Sequence, residues 1–277
     1  MIAPPREPHA RCRLNARSVG AGDDVLVVVN GGPGQSHDYC ESTDGLATSE
    51  FQVVTYDQRG TGQTAHPANG DYSMDAYVSD LEALRKELGV DQMHLLGHSF
   101  GGVFAIAYTA AHPDRVASLQ LYASSPVTAW DLDSTEFEAR IAGFEDNGTF
   151  EEGYNEIDGS NDCAPYFQTI WPVYLYDTDF PMTPSLKATT CDLETFFGTS
   201  DSNMFGWDYT QEVRSFSAPT AVYYGESDPF ISESQAIPQY FTGTDVQEVE
   251  IPECGHYWEE CAEDFLTRAA TFLVDAL

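Results

Sequence analysis

Six short apolar runs constrain most strongly what this chain can fold into. They are VLVVVN (25–30), FQVVTY (51–56), MHLLG (93–97), VASLQLYA (116–123), PTAVYYG (219–225) and VQEVEI (246–251). Several are continuous and rich in β-branched residues, the pattern of strands covered on both faces rather than one. Segments of helical spacing lie between them. Over 73–89, Tyr77, Leu81, Leu84 and Leu88 recur at helical intervals and Gly89 supplies a stop. The C-terminal stretch repeats the pattern with Phe265, Ala269, Phe272 and Ala276. Strands alternating with helices predict an α/β fold built on a doubly wound, mostly parallel sheet.

The alternation breaks between about 127 and 215. This segment is rich in aromatics, among them Trp130, Phe137, Phe144, Trp171, Tyr174, Phe205 and Trp207. It holds one clear amphipathic pattern, with Phe137, Ile141 and Phe144 on one face and Asn147-Gly148 as its end. A structureless loop of this length is implausible in a compact domain. The expected organisation is a core formed by 1–126 and 216–277, with a mainly helical cap at 127–215. The aromatics are either that cap's own core or the lining of a substrate pocket.

Charge narrows the function classes. With 45 acidic and 12 basic residues, the net charge is −33. Nucleic acid is excluded as an expected partner, because phosphate binding needs basic residues. The acid is spread along the chain, and 13% aromatic residues argue against disorder. Two readings compete, a cation-attracting functional surface and adaptation to a salt-rich cytoplasm. The second is expected because no local cluster needs a functional role: at about 1 M salt the Debye length is about 3 Å, so the excess is screened, whereas in dilute buffer it opposes compaction. A halophilic protein that unfolds at low salt is therefore expected, and circular dichroism against KCl concentration tests it. No apolar run is long enough to span a membrane, and the N-terminus shows no secretory h-region, so a cytoplasmic location with no membrane partner is expected. The six cysteines include no C-x-x-C pair; reduced thiols and no metal site are the expectation.

The chemistry-bearing stretch is GHSFGG. Ser99 follows an expected strand and opens an expected helix, the setting of a nucleophile elbow, where the tight turn demands small neighbours such as Gly97 and Gly101. Serine is a weak nucleophile without a base. In this fold the triad runs Ser, then Asp or Glu, then His, and open α/β sheets build their sites at the carboxyl ends of strands. Asp228, after the strand in VYYGESDPF, and His256, in IPECGHYWEE, fit that order. Glu226 is the second choice of acid. His98 flanks the serine, and His94 and His112 are weaker candidates still. The expected oxyanion donors are the amides of Phe100, at the positive end of a helix, and of Gly32, in the NGGPG loop after the first apolar run.

NGGPG resembles the HGGPG motif of the proline iminopeptidase (prolyl aminopeptidase) family, and YDQRGTGQT (56–64) resembles its DQRGxGxS motif. GHSFGG, GESD and the later GH resemble its nucleophile, acid and base segments. The longer GGPGQSHDY looks like the branch containing archaeal tricorn-associated aminopeptidases. The resemblance covers roughly 20–126 and 216–277; the cap matches only in position and size. It implies an α/β-hydrolase fold, no cofactor, and removal of an N-terminal residue, often proline, from short peptides or amides through an acyl-enzyme. It implies a structural ion pair between Asp57 and Arg59. It also implies carboxylates that recognise the free amine, and Glu194, shortly before FGWDYT, stands roughly where the family places one. Two departures stand out: Asn30 replaces the histidine of HGGPG, and Pro229 follows the triad aspartate where the tricorn-associated branch has an acid. A carboxylesterase or lactonase and a C–C bond hydrolase use the same triad without that acid. A non-catalytic binding protein of this fold would be expected to lack part of the triad, and aspartate-nucleophile hydrolases lack the serine.

Overall fold

The computed structural model describes residues 12–145, 161–203 and 206–277. Its seven-stranded sheet has the order β1-β3-β2-β4-β5-β6-β7. The strands are β1 Ala16–Val19, β2 Asp24–Val29, β3 Phe51–Tyr56, β4 Met93–His98, β5 Val116–Tyr122, β6 Thr220–Gly225 and β7 Val246–Ile251. The six apolar runs are β2 to β7, and all pair in parallel. β1 is the strand the sequence pattern does not announce. Its four residues, ARSV, pair antiparallel with β3 at the sheet edge.

The unbroken apolarity of β2 has a direct cause. Val25, Val27 and Val29 pack into one core cluster, while Leu26 and Val28 pack into another, on the opposite face. Helices α1 (Met74–Leu88) and α2 (Phe100–Ala111) supply Tyr77, Leu81, Val103 and Phe104 to the first. The C-terminal helix, Ala262–Asp275, supplies Phe265, Ala269 and Phe272 to the second. The expected Gly89 stop takes a left-handed conformation at the end of α1. β7 is the other edge, and Glu248 and Glu250 on it discourage further pairing.

Between β5 and β6 the chain makes short helices: α3 (Thr135–Glu145), α4 (Ala164–Thr169), α5 (Pro184–Ala188) and α6 (Leu193–Asn203). Phe137, Ile141 and Phe144 of α3 pack together against the second cluster as their spacing predicts; the expected end at Asn147-Gly148 lies outside the described residues. Val127, Trp207 and Val213, near the ends of this segment, are buried in the first core cluster. After β6 come α7 (Ile231–Ala236) and, after β7, α8 (Ala262–Asp275).

Two expectations are corrected here. Cys163–Cys191 and Cys254–Cys261 are disulfides, leaving Cys12 and Cys40 as free thiols. Absence of metal spacing says nothing about pairs brought together by folding, and the first pair is 28 residues apart in sequence. Disulfides persist in oxidising surroundings, so the bridges pull against the cytoplasmic expectation. No helix among the described residues is long and apolar enough to cross a membrane. The second correction concerns Asp57 and Arg59, which do not pair with each other. Arg59, fully buried, pairs with Asp80 on α1 at 2.8 Å and donates to the Asp71 and Ala76 carbonyls. Asp57 instead accepts from His37, Asn15 and the Gln63 amide. Neighbours in sequence on an irregular segment point to different sides, so each found its partner on another element.

Candidate active site

The site begins where the strand order reverses. β3 and β4 lie on opposite sides of β2, which leaves a crevice at the carboxyl ends of β2 and β4, the position where such sheets accommodate ligands. Ser99 sits there, between β4 and α2, with φ 53° and ψ −128°. A non-glycine residue in that region stores strain that the surroundings must hold. Its amide donates to the Tyr122 carbonyl, and its carbonyl accepts from Ser125 and Gly102. The turn also requires its glycines: a Cβ at Gly101 would stand 2.3 Å from the Asn30 carbonyl oxygen, and one at Gly97 would stand 2.7 Å from the Gly102 Cα.

Three segments far apart in sequence meet at the serine hydroxyl. His256 Nε2 is 3.0 Å from Ser99 Oγ, and His256 Nδ1 is 2.9 Å from Asp228 Oδ1. Asp228 and His256 are both buried. A carboxylate accepting at Nδ1 holds the proton there, so Nε2 is left to accept from the serine hydroxyl. The Phe230 amide donates to Asp228 Oδ1, and the His256 amide donates to the Tyr174 carbonyl at 2.7 Å. The second-choice acid, Glu226, is exposed and accepts from the Glu253 amide instead.

The sequence-derived donors Gly32 and Phe100 line the same cavity as Ser99 and His256. The neighbouring amides are committed elsewhere: Gly31 donates to the Tyr39 hydroxyl and Ser99 to Tyr122. Phe100 is the first residue of α2, so its amide has no partner within the helix. Asn30, in place of the motif histidine, donates from Nδ2 to the carbonyls of Gly31 and Gln35, and Gln58 donates to the Asn30 carbonyl and Oδ1. The NGGPG and DQRG segments are thus joined through Asn30 and Gln58.

The cavity above Ser99 has a volume of about 490 Å³. Its far wall comes from the segment between β5 and β6, with Leu132, Phe137, Tyr166, Phe167, Phe196 and Trp207, and Phe230 and Tyr257 complete it. Glu194 is not part of it. Its side chain is 60% exposed and stands 3.5 Å from His66 Nδ1, on the outside of α6. The carboxylate in the cavity wall is Glu233, which sequence reasoning missed. It lies on α7, is 3% exposed and accepts from the Asp133 amide at 3.0 Å. Burial pushes its carboxyl up to about 8 against that hydrogen bond, and the charges of Asp228 and Asp133 act in the same direction as burial. Its only sequence signal is an acid five residues past Asp228, one of 45.

Comparisons with known proteins agree with this architecture. The family model of the alpha/beta hydrolase fold matches residues 24–258. The proline iminopeptidase of Lactobacillus delbrueckii subsp. bulgaricus is 30% identical over 249 residues, covering 82% of this chain and 83% of that protein. Among solved structures, a proline iminopeptidase from Mycobacterium smegmatis superposes with a TM-score of 0.71 at 22% identity, covering 97% of each chain. An enol-lactonase from Burkholderia xenovorans LB400 superposes with a TM-score of 0.67 at 20% identity, covering 95% of this chain and 97% of that one. At these identities the two superpositions speak for the fold alone.

Proposed function

The chain belongs to the proline iminopeptidase family of α/β-hydrolases, and from that premise we propose that it is a serine aminopeptidase releasing N-terminal residues, proline or another small or apolar residue, from short peptides or amides. Ser99 is the nucleophile, His256 the general base and then acid, and Asp228 the group that orients and stabilises the imidazolium. As Oγ attacks the carbonyl carbon, its proton passes to His256 Nε2. The amides of Gly32 and Phe100 receive the developing oxyanion. His256 returns the proton to the leaving amine, and water, activated by the same histidine, releases the acyl group. Residues 127–215 act as a cap that forms the far wall of the cavity.

The observation that carries the aminopeptidase reading is Glu233. A buried carboxyl in a cavity rich in aromatic side chains, which also holds the serine, suits a substrate's α-ammonium group, whose charge draws the proton off the acid and pairs with it. It takes the role that the sequence resemblance assigned to Glu194. The tricorn-associated branch and the high-salt setting belong to the same reading, and assays are best made in about 2–3 M KCl, where surface charge is screened. The esterase, lactonase or C–C hydrolase reading draws support from the same residue: with its carboxyl pushed up to about 8, the unliganded Glu233 holds its proton at pH 7 and suits an uncharged substrate.

The test compares proline p-nitroanilide, its N-acetyl form and p-nitrophenyl acetate, with Ser99→Ala as control. Cleavage of the free-amine arylamide but not the acetylated one is expected. Cleavage of the ester alone would leave Ser99 as nucleophile and defeat the peptidase reading. Activity surviving in Ser99→Ala would defeat the serine mechanism itself.

A further inference from the structure

We propose that Tyr39 and His98 are positioning residues for the reaction, forming a hydrogen-bond chain that ties the loop of the oxyanion donor to the loop of the catalytic base. The chain runs through three segments. Gly31, in the loop after β2, donates its amide to the Tyr39 hydroxyl. Tyr39 Oη lies 2.7 Å from His98 Nδ1, and His98 Nε2 lies 2.9 Å from the carbonyl oxygen of His256. Tyr39 and His98 are each 1% exposed, so no water competes for these groups.

Proton accounting gives the chain a single direction. The His256 carbonyl can only accept, so His98 Nε2 carries the hydrogen. Burial, and then the neighbouring His256, hold the His98 imidazole well below its usual range, so the ring is neutral and Nδ1 accepts. The Tyr39 hydrogen therefore points to Nδ1, and its oxygen lone pairs face the Gly31 amide. Each donor has an acceptor in this arrangement, and reversing one bond leaves a buried group unmatched, which costs more than the bond contributes.

The consequence falls on two catalytic groups, the Gly32 amide and the His256 ring; the His98 ring also packs beside the latter at a centroid separation of 5.1 Å. On one side, Tyr39 fixes the Gly31 amide, while Asn30 Nδ2 holds the Gly31 carbonyl at 3.1 Å. That carbonyl shares a planar peptide unit with the Gly32 N–H. With the carbonyl drawn toward Asn30, the Gly32 N–H faces the opposite way. On the other side, the His256 backbone is held at both polar atoms, its carbonyl by His98 and its amide by the Tyr174 carbonyl. The ring that must meet Ser99 Oγ thus hangs from a fixed peptide. His98 is itself the residue before Ser99, so all three catalytic segments share one anchor.

The proposal rests on the serine-hydrolase reading, and its test separates the two. The rate of Ser99 phosphorylation by diisopropyl fluorophosphate, which releases fluoride as Oγ bonds to phosphorus, is measured for the wild type, Tyr39→Phe, His98→Gln and His98→Leu. Steady-state kcat and KM are measured in parallel on whichever arylamide or ester the wild type hydrolyses. Tyr39→Phe and His98→Leu should react about tenfold more slowly, the scale of a small misplacement of reacting groups, with kcat reduced and KM unchanged. His98→Gln, whose amide offers a donor and an acceptor to the same two partners, should recover to within about threefold of wild type, because both hydrogen bonds are remade. Should Tyr39→Phe fail to fold, the two His98 variants still decide. Wild-type rates in Tyr39→Phe and His98→Leu, or equal losses in His98→Gln and His98→Leu, would overturn the chain while leaving Ser99 as nucleophile. No labelling of the wild type would overturn both.

Discussion

The cavity has two walls of opposite character. On the core wall, Ser99, Asp228 and His256 are each held by hydrogen bonds from segments distant in sequence, and the Gly31 carbonyl is held by the neighbouring Asn30 side chain. On the wall contributed by the segment between β5 and β6, the lining is mostly aromatic and apolar, and the segment is tied to the core by buried side chains such as Trp171 and Trp207. Backbone bonds from Ser36 to Thr190, from Asp192 to Gly34 and from His256 to Tyr174 add to that hold, while the Cys163–Cys191 bridge closes the segment on itself. Polar groups fixed before the substrate arrives suit charge development in a transition state. A wall of side chains that offers area without direction suits selection by size and apolarity. In the proposed reading, the chemistry falls to the core and substrate choice to the insertion, with Glu233 on the core side as the exception that would read charge.

This division can be broken at several points. Asp228→Asn should give the largest effect, lowering kcat by about 10⁴-fold, because the amide favours the wrong imidazole tautomer; a loss below tenfold would show that His256 is oriented otherwise. Phe137 stacks on Phe230 at a ring separation of 5.0 Å and lines the opposite wall. Phe137→Ala should raise KM about tenfold with kcat nearly unchanged, since contacts shared by ground and transition states affect binding alone. A fall in kcat of the same size would mean that the insertion also shapes the reacting geometry.

A third prediction concerns Glu233 and pH. Its carboxyl is pushed up to about 8 when folded, against about 4.3 in an unfolded chain. The folded state then holds a proton that the unfolded state releases, so the stability linked to this group is complete below pH 4.3 and lost as pH rises toward 8. Thermal melts of Glu233→Gln should gain on the wild type as pH rises, by on the order of 5 °C at pH 8 relative to pH 5; a difference that stays constant with pH would remove the carboxyl from that role. The smallest effect is expected at Glu194, whose exposed side chain stands 3.5 Å from His66 Nδ1. Glu194→Gln should leave kcat/KM within about twofold, as exposed ion pairs contribute little.

The same two walls explain what was legible in the sequence. β2 to β7 announced themselves because a strand covered on both faces has to be apolar throughout. Ser99, Asp228 and His256 were legible because the fold presents its triad in a fixed chain order after particular strands. β1 was not legible, since four residues at an edge need only pair with β3 and show no apolar pattern. Arg59's partner was misjudged because an ion pair on one short segment looks natural in sequence, while the fold offered Asp80 on α1. The carboxylate proposed for recognition was missed for a different reason. With 45 acids, what distinguishes Glu233 from Glu194 is burial, which depends on how α7 and the insertion pack and leaves no mark on either residue's neighbours. The cysteines failed similarly, being joined by folding rather than spacing.

The most direct measurement compares Glu233→Gln with the wild type on proline p-nitroanilide and on p-nitrophenyl acetate, in the same buffer and at the same pH. The account predicts that kcat/KM for the free-amine arylamide falls about 100-fold, as expected when a charged partner is removed from a desolvated ammonium group. Ester hydrolysis should remain within about twofold, because Ser99, His256 and Asp228 are untouched. Equal losses on both substrates would make Glu233 a support for the catalytic groups rather than a reader of the amine. An unchanged rate on the arylamide would contradict the assignment of amine recognition to this side chain.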